Sequence, residues 1–112
     1  MARFEAGELA IHHAKHQSDF PGLTPAQYEA LADAFLQRPS SSSFKECNRK
    51  RGDFLRYDMV TGEFAVLSNN GVIRTYFKPV PCATLPPSAR VRCHGYSSNL
   101  DYFNAECRRE RQ

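Results

Sequence analysis

The sequence contains no run of about 18 apolar residues, the length that spans a membrane, and it does not begin with the apolar stretch of a secretion signal. It also lacks Cys-x-x-Cys pairs and the His-Glu-x-x-His motif, so the usual zinc-binding signatures are missing. Tryptophan is absent, which leaves phenylalanine and tyrosine as the large core residues. We therefore expect a soluble protein without membrane anchoring within this domain and without a cofactor.

Length and charge favour one small domain with a local positive surface. The chain has 112 residues, 41% of them apolar, so residues 1–112 are expected to form a single domain around one core. The net charge is only +3, but the basic residues are clustered, and such a cluster attracts phosphate. Solvated loops are the alternative explanation. The clusters comprise Lys45, Arg49, Lys50, Arg51 and Arg56, followed by Arg74, Lys78, Arg90 and Arg92.

The four cysteines, Cys47, Cys82, Cys93 and Cys107, admit three interpretations. We favour free, at least half-buried thiols, because unpaired cysteine is commonly found in protein interiors. Disulfides are the second interpretation and would suit an oxidising compartment, but the sequence does not select a connectivity. The third is a zinc site formed by Cys82, Cys93, Cys107 and the adjacent His94, for which the spacing carries little information.

The N-terminal third of the sequence predicts two helices. The first covers residues 4–15. The second begins with Thr24 as N-cap and Pro25 in the first helical position, and Gln27 completes a capping-box pattern. Apolar residues at helical spacing continue this helix until Pro39 ends it.

An antiparallel sheet and a final helix are predicted after residue 50. The strands are expected at residues 54–58, 63–68 and 72–78. Asn70-Gly71 is a strong hairpin signal, because both residues tolerate the positive φ of tight primed turns. Residues 98–107 predict a helix with Leu100 and Phe103 facing inward. The segregation of helices from strands predicts an α+β fold rather than an alternating α/β fold.

Three histidines lie within five residues of the first predicted helix. His12 and His16 are four residues apart, so they share one helix face. RNA cleavage needs a base for the 2′-hydroxyl proton and an acid for the leaving 5′-oxygen, and histidine performs both near neutral pH. A metal site is not favoured, because no nearby carboxylate completes the ligand set. The alternative role is to complement the dipole at the helix end.

The strand at residues 72–78 supplies two cations. Alternation places Arg74, Tyr76 and Lys78 on one face and Ile73, Thr75 and Phe77 on the other. Arg74 and Lys78 are then expected to contact phosphates or to stabilise a developing phosphorane. Arg56 on the neighbouring strand is expected to join this basic face. An ordinary solvated sheet face is the alternative.

A third set of candidates lies near the C-terminus. Aromatic groups stack on unpaired bases, so His94 and Tyr102 are candidates for substrate binding. The alternative assigns this region to a helix cap at Ser98 or Asn99, with Tyr102 and Phe103 packed in the core.

Several blocks of the sequence together resemble one protein family. They are residues 56–58 (RYD), 61–66 (TGEFAV) and 70–79 (NGVIRTYFKP), with His12, His16, Asp19 and Phe20 matching an N-terminal His-x3-His and Asp-Phe pattern. The ending is matched by His94-Gly95-Tyr96, Asn99-Leu100 and Tyr102-Phe103-Asn104. The family comprises the C-terminal toxin domains of contact-dependent growth-inhibition and other polymorphic toxins, in the barnase–EndoU–colicin–RelE-like nuclease class. His13 departs from the pattern, which usually has an aromatic or apolar residue there, so it is an alternative active histidine.

The resemblance implies a metal-independent endoribonuclease with a barnase- or colicin-D-like fold, in which N-terminal helices pack on a small twisted antiparallel sheet and a short C-terminal helix follows. It implies RNA as substrate, tRNA in particular, and a cognate immunity protein as partner. The domain would be exported as part of a larger bacterial toxin and act in the target-cell cytoplasm. The residues carried over are His12 and His16 for acid–base catalysis, Arg56, Arg74 and Lys78 for phosphate contacts, Thr75 as hydroxyl donor, and Tyr102 as a further candidate. The alternative is a non-catalytic RNA- or protein-binding module on the same fold.

Overall fold

The computed structural model describes residues 1–89 and 92–109, and within them the chain forms helices, then a sheet, then a final helix. The helices are α1 (Glu8–His16), α2 (Pro25–Gln37) and α3 (Asn99–Arg108), and the strands are β1 (Phe44–Asn48), β2 (Phe54–Asp58), β3 (Phe64–Leu67) and β4 (Ile73–Phe77). Short 3₁₀ turns at Cys82–Thr84 and Pro87–Ala89 lie between β4 and α3. The predicted α+β class is confirmed. Arg90, one of the clustered basic residues, lies outside the described part of the chain.

Helix α2 begins as the sequence predicts. Thr24 Oγ1 accepts a hydrogen bond from the Gln27 backbone N–H at 3.2 Å, and the Gln27 side chain accepts one from the Thr24 N–H at 2.9 Å. This reciprocal pair is the capping box, with Pro25 in the first helical position. The helix ends at Gln37, two residues before Pro39, whose ring disfavours helical backbone in the residue before it.

Helix α1 is shorter than the predicted residues 4–15. Gly7 adopts a φ of 88°, which a residue with a side chain rarely adopts, and the helix begins at Glu8. Before it the chain is extended and lies beside the start of β4, where the Ile73 N–H donates to the Arg3 carbonyl at 2.8 Å. The helical prediction for residues 4–7 was wrong because this pairing with the sheet edge prevails over local propensity.

The sheet is antiparallel in the order β1-β2-β3-β4, one strand more than the sequence predicts. Between β3 and β4 the register shifts: Leu67 pairs with Ile73 and Val66 pairs with Thr75, so Arg74 is an extra residue without a strand partner. Such a bulge inverts the alternation of side chains. The predicted shared face of Arg74 and Tyr76 is therefore wrong, since Tyr76 is fully buried in the core beside Ile73.

The two faces of the sheet pack against different helices. One face contacts the N-terminal helices through a core that comprises Tyr28, Ala32, Phe35, Leu36, Ala65, Ile73 and Tyr76, together with Ala2, Phe4 and Phe20. The other face packs on α3 through Leu55, Tyr57, Phe64, Val66 and Phe103. Phe103 faces inward as predicted, whereas Leu100 is 39% exposed, so its predicted inward position was wrong. The sheet thus lies between the two helical layers.

The cysteines form two disulfides, so the interpretation as free thiols was wrong. Cys47 on β1 is bonded to Cys107 on α3, and Cys82 is bonded to Cys93 within the connection from β4 to α3. The first pairing joins residues 60 positions apart. Its geometry depends on how α3 packs on the sheet, which residue spacing does not reveal.

Arg56 does not belong to an exposed basic face, which corrects its assignment as a substrate contact. Arg56 is only 5% exposed, and it lies on the face of β2 that packs against α2. Its Nη1 donates to the carbonyl oxygens of Phe35 and Arg38 at 2.8 and 2.7 Å, and its Nη2 is 2.6 Å from Glu46 Oε2. Arg56 therefore donates hydrogen bonds to backbone acceptors at the C-terminal end of α2, and these structural contacts use its guanidinium.

Candidate active site

A cleft with a volume of about 710 Å³ is bounded by α1, β4, the connection after β4 and α3. Seven of the eight residues predicted for a site line it, namely His12, His16, Arg74, Thr75, Lys78, His94 and Tyr102. Arg56 is not among them, because it is buried on the other side of the sheet. The fold thus brings side chains from three distant segments of the sequence to one concave surface.

The histidines His12 and His16 lie one helical turn apart, with ring centroids 5.8 Å apart. His12 packs beside Phe4, and its Nε2 lies 3.7 Å from Glu8 Oε1. His16 is 7% exposed and stacks on Phe77 with ring centroids 4.8 Å apart. Their separation allows both rings to approach a single phosphodiester group.

His13 points away from this pair. Its Nε2 donates to the Leu23 carbonyl oxygen at 2.6 Å, its ring meets Tyr28 edge-on, and it does not line the cleft. His13 therefore links α1 to the chain that precedes α2. The geometry favours His12 and His16 over His13 as the chemically active histidines.

Burial and neighbouring cations keep both cleft histidines neutral at pH 7. Burial is the largest cause that lowers the pKa of His16 to about 4, and His12, Lys15 and Arg92 lower it further. Burial also lowers the pKa of His12, while the Glu8 carboxylate opposes this effect. The His12 Nδ1 atom is buried and has no hydrogen-bond partner within residues 1–89 and 92–109. A buried nitrogen without a partner can form a hydrogen bond with a ligand or a water molecule.

A buried carboxylate holds Arg74 at the cleft wall. Arg74 Nε donates to Asp53 Oδ1 at 2.9 Å, and Asp53 is 4% exposed. The second oxygen of Asp53 is contacted by Arg49 Nη1 at 3.1 Å, and Arg49 Nη2 in turn lies 2.9 Å from Glu106 Oε1 on α3. The contact through Nε fixes the plane of the Arg74 guanidinium, and the bulge at this position lets Thr75 line the same cleft.

Cations outnumber carboxylates around the cleft in the described part of the chain. The cations are Lys15, Arg74, Lys78 and Arg92, and the carboxylates are Glu8 and Asp19. Lys78 is anchored at its base, since its backbone N–H donates to Asp19 Oδ2 at 3.1 Å and its Nζ lies 5.3 Å from the Phe20 ring centroid. This excess of positive charge in a concave site attracts phosphate.

His94 and Tyr102 form an aromatic wall of the cleft. Their rings stack with centroids 4.5 Å apart and an interplanar angle of 12°. His94 Nδ1 accepts the Tyr96 backbone N–H at 3.3 Å, so its Nε2 carries the proton and donates to Asn99 Oδ1 at 2.8 Å. Burial is the main cause that raises the pKa of Tyr102 to about 12, which keeps its phenol neutral. Because both nitrogens of His94 are engaged, its ring is fixed in place.

Glu8, Arg92 and Asp53 are among the residues of the site that escaped prediction. Glu8 had a usable signal, because a carboxylate four residues before His12 on a helix lies beside it. Arg92 was one of many basic residues, and nothing in its neighbours distinguishes it. Asp53 had no local signal, since it lies 21 residues before Arg74 and meets it only through the pairing of the strands.

The described residues contain no group of three or more His, Cys, Asp or Glu side chains arranged to hold a metal ion. The zinc interpretation for Cys82, Cys93, His94 and Cys107 was wrong, because all three cysteines are consumed in disulfides. None of the helices described in the chain has the length and hydropathy needed to cross a membrane. No protein-family model matches the chain, and no curated protein is significantly similar to it.

Proposed function

We propose that the protein is an endoribonuclease that cleaves RNA by transphosphorylation and needs no metal ion. The observation that carries the proposal is the convergence of His12 and His16 with Arg74, Thr75 and Lys78 in one cleft. Two histidines provide a base and an acid, and cations beside them stabilise the charge of a pentavalent phosphorane. A non-catalytic binding module does not require a half-buried and a buried histidine beside a cluster of cations.

The reaction needs two proton transfers. The ribose 2′-oxygen loses its proton to the base and attacks the adjacent phosphorus, which forms a 2′,3′-cyclic phosphate. The bond from phosphorus to the 5′-oxygen breaks, and the acid protonates that oxygen. Arg74 and Lys78 are assigned to the non-bridging phosphate oxygens, and the Thr75 hydroxyl is assigned to donate a hydrogen bond to one of them.

The different environments of the two histidines suggest their roles. A bound phosphate adds negative charge beside Lys15 and Arg92, so it raises the pKa of both rings. His12 takes the proton first, because the Glu8 carboxylate 3.7 Å away favours its charged form. We assign His12 as the general acid and His16, which stays neutral, as the general base.

The biological setting follows from the family resemblance and remains part of the proposal. The domain is exported as part of a larger bacterial toxin, acts on RNA, with tRNA as the first substrate to test, in the target-cell cytoplasm, and is held inactive in its producer by an immunity protein. Two disulfides support an export route, because such bonds form and persist in oxidising compartments.

The test is incubation of the folded protein with total tRNA in EDTA. His12→Ala and His16→Ala are each expected to slow cleavage by roughly 10²–10⁴-fold, the usual contribution of an acid or base. His13→Ala is the matched control, since it removes a histidine of the same helix that does not face the cleft. The parent should yield discrete fragments with 2′,3′-cyclic phosphate ends.

Intact tRNA with the folded parent would argue against tRNA as substrate, and intact mixed cellular RNA would refute the enzyme. In that case, binding of RNA without turnover would support the binding module.

A further inference from the structure

Four aromatic rings form a continuous row along the cleft, from the catalytic histidine to the far wall. His16 stacks on Phe77 at 4.8 Å, Phe77 meets Tyr102 at 6.3 Å, and Tyr102 stacks on His94 at 4.5 Å, all measured between ring centroids. All four line the cleft. The row is more than ordinary core packing, because it continues beyond the buried cluster to the half-buried His94.

The distal end of the row is rigid. His94 is held by the Asn99 side chain on one nitrogen and by the Tyr96 backbone N–H on the other. With both nitrogens engaged in hydrogen bonds, the ring presents its face to the cleft. Tyr96 flanks the pair, 44% exposed, with its ring centroid 5.9 Å from that of His94 and 6.1 Å from that of Tyr102.

We infer that the ring pair His94–Tyr102 binds the nucleobase next to the scissile phosphate, and that the substrate is therefore an unpaired nucleotide. This inference rests on the proposed function, since it places the phosphate at the other end of the row, beside His16, Arg74 and Lys78. A base is flat and apolar on its faces, so it packs on aromatic side chains with little dependence on sequence. A base in a duplex is stacked between its neighbours and paired, which prevents this contact.

The experiment combines a change in the protein with a change in the RNA. A short single-stranded RNA that spans a mapped cleavage site is prepared intact, and with an abasic ribose on either side of the scissile phosphate in turn. Stacking on one aromatic group is worth enough that the parent should cleave one of the abasic RNAs roughly 5- to 100-fold more slowly than the intact RNA. The same sequence placed in a hairpin stem should be cleaved more slowly than in the loop.

The Tyr102→Leu variant should lose most of its rate on intact RNA but little further on the sensitive abasic RNA, because the contact is already missing. Tyr102→Phe, which keeps the ring, should behave as the parent on every substrate. Equal losses of Tyr102→Leu on intact and abasic RNA would overturn the inference, since a merely structural tyrosine affects both alike. Should Tyr102→Leu fail to fold, the parent alone decides: cleavage of both abasic RNAs at the intact rate overturns the inference.

Failure of the proposed function is recognised separately. A 2′-deoxy substitution at the cleavage site makes the oligonucleotide uncleavable, and its affinity for the protein is measured with and without each abasic position. If the parent cleaves no RNA, no cleavage site is mapped, so the binding measurement uses a short single-stranded RNA of arbitrary sequence, intact and with either of two adjacent central riboses abasic. Weaker binding of one abasic oligonucleotide then still supports the base-binding ring pair. Equal binding of all three oligonucleotides overturns it.

Discussion

The buried His16 is expected to make the protein lose stability in mild acid. Its ring is 7% exposed in the folded state, and burial together with neighbouring cations lowers its pKa to about 4. In the unfolded chain the ring is solvated and titrates near the ordinary value of about 6.5. Above that value the ring is neutral in both states, so His16 contributes no pH dependence to the free energy of unfolding there.

The sign and size of the effect follow from these two pKa values. As the pH falls from about 6.5 to about 4, the unfolded chain binds a proton that the folded protein does not, which stabilises the unfolded state. Below about 4 both states are protonated and the loss is complete. A difference of between two and three pKa units corresponds to a loss of about 3 kcal/mol in the free energy of unfolding.

The comparison is between the parent and His16→Phe, which keeps an aromatic ring against Phe77 but does not titrate. Urea unfolding of both proteins, with the disulfides intact, is measured between about pH 7.5 and pH 4. Other titrating groups contribute nearly equally to both curves. The parent should therefore lose about 3 kcal/mol more than the variant over this range. Parallel curves would refute the argument, because they would mean that the folded protein protonates His16 as readily as the unfolded chain does.

Three further outcomes are expected. Asp53→Asn should slow RNA cleavage in the parent, because Asp53 holds Arg74 at the cleft wall. In an Arg74→Ala background the same change should have little further effect on the cleavage rate. Additive losses of rate in this double-mutant cycle would contradict the assignment. Replacement of Cys47 and Cys107 by alanine should lower the free energy of unfolding by about 4 kcal/mol in urea titrations, given the 60-residue separation that this disulfide spans. Arg56→Ala should cost about 1–3 kcal/mol in the same measurement, because it leaves the carbonyl oxygens of Phe35 and Arg38 without this donor, yet leave cleavage by the folded fraction nearly unchanged.

Local signals predicted the elements whose cause is itself local. The capping box at Thr24 is a contact within one helical turn, and it set the start of α2 correctly. A turn is also present at Asn70-Gly71, with Gly71 at a φ of 85°, but Asn70 does not adopt a positive φ, so the predicted primed geometry was wrong. Strand β1 escaped prediction, since its half-exposed sequence becomes a strand only through its pairing with β2.

Features that depend on distant partners were predicted poorly. Strict alternation along β4 gave the wrong faces, because one extra residue at Arg74 reverses the pattern, and the sequence contains no glycine there to mark the bulge. Arg56 looked like a free cation because its acceptors, the carbonyls of Phe35 and Arg38, are 21 and 18 residues away. Seven of the eight candidate residues nevertheless line one cleft, including Arg74 and Thr75, which strict alternation had assigned to opposite faces.

The two sides of the cleft are held together by different forces, and this has a consequence for the proposed route from an oxidising compartment to a cytoplasm. The side with His12 and His16 rests on the large buried core under α1 and α2. The opposite side packs on the sheet through the smaller cluster around Phe103 and also carries both cross-links: Cys82–Cys93 constrains the segment before His94, and Cys47–Cys107 joins β1 to α3, which carries Tyr102. Reduction in a cytoplasm would therefore loosen the base-binding wall before it disturbs the histidines, because the stability of a region follows the contacts that remain in it. Loss of base contacts with retention of the histidine pair would weaken substrate binding more than it slows the chemical step.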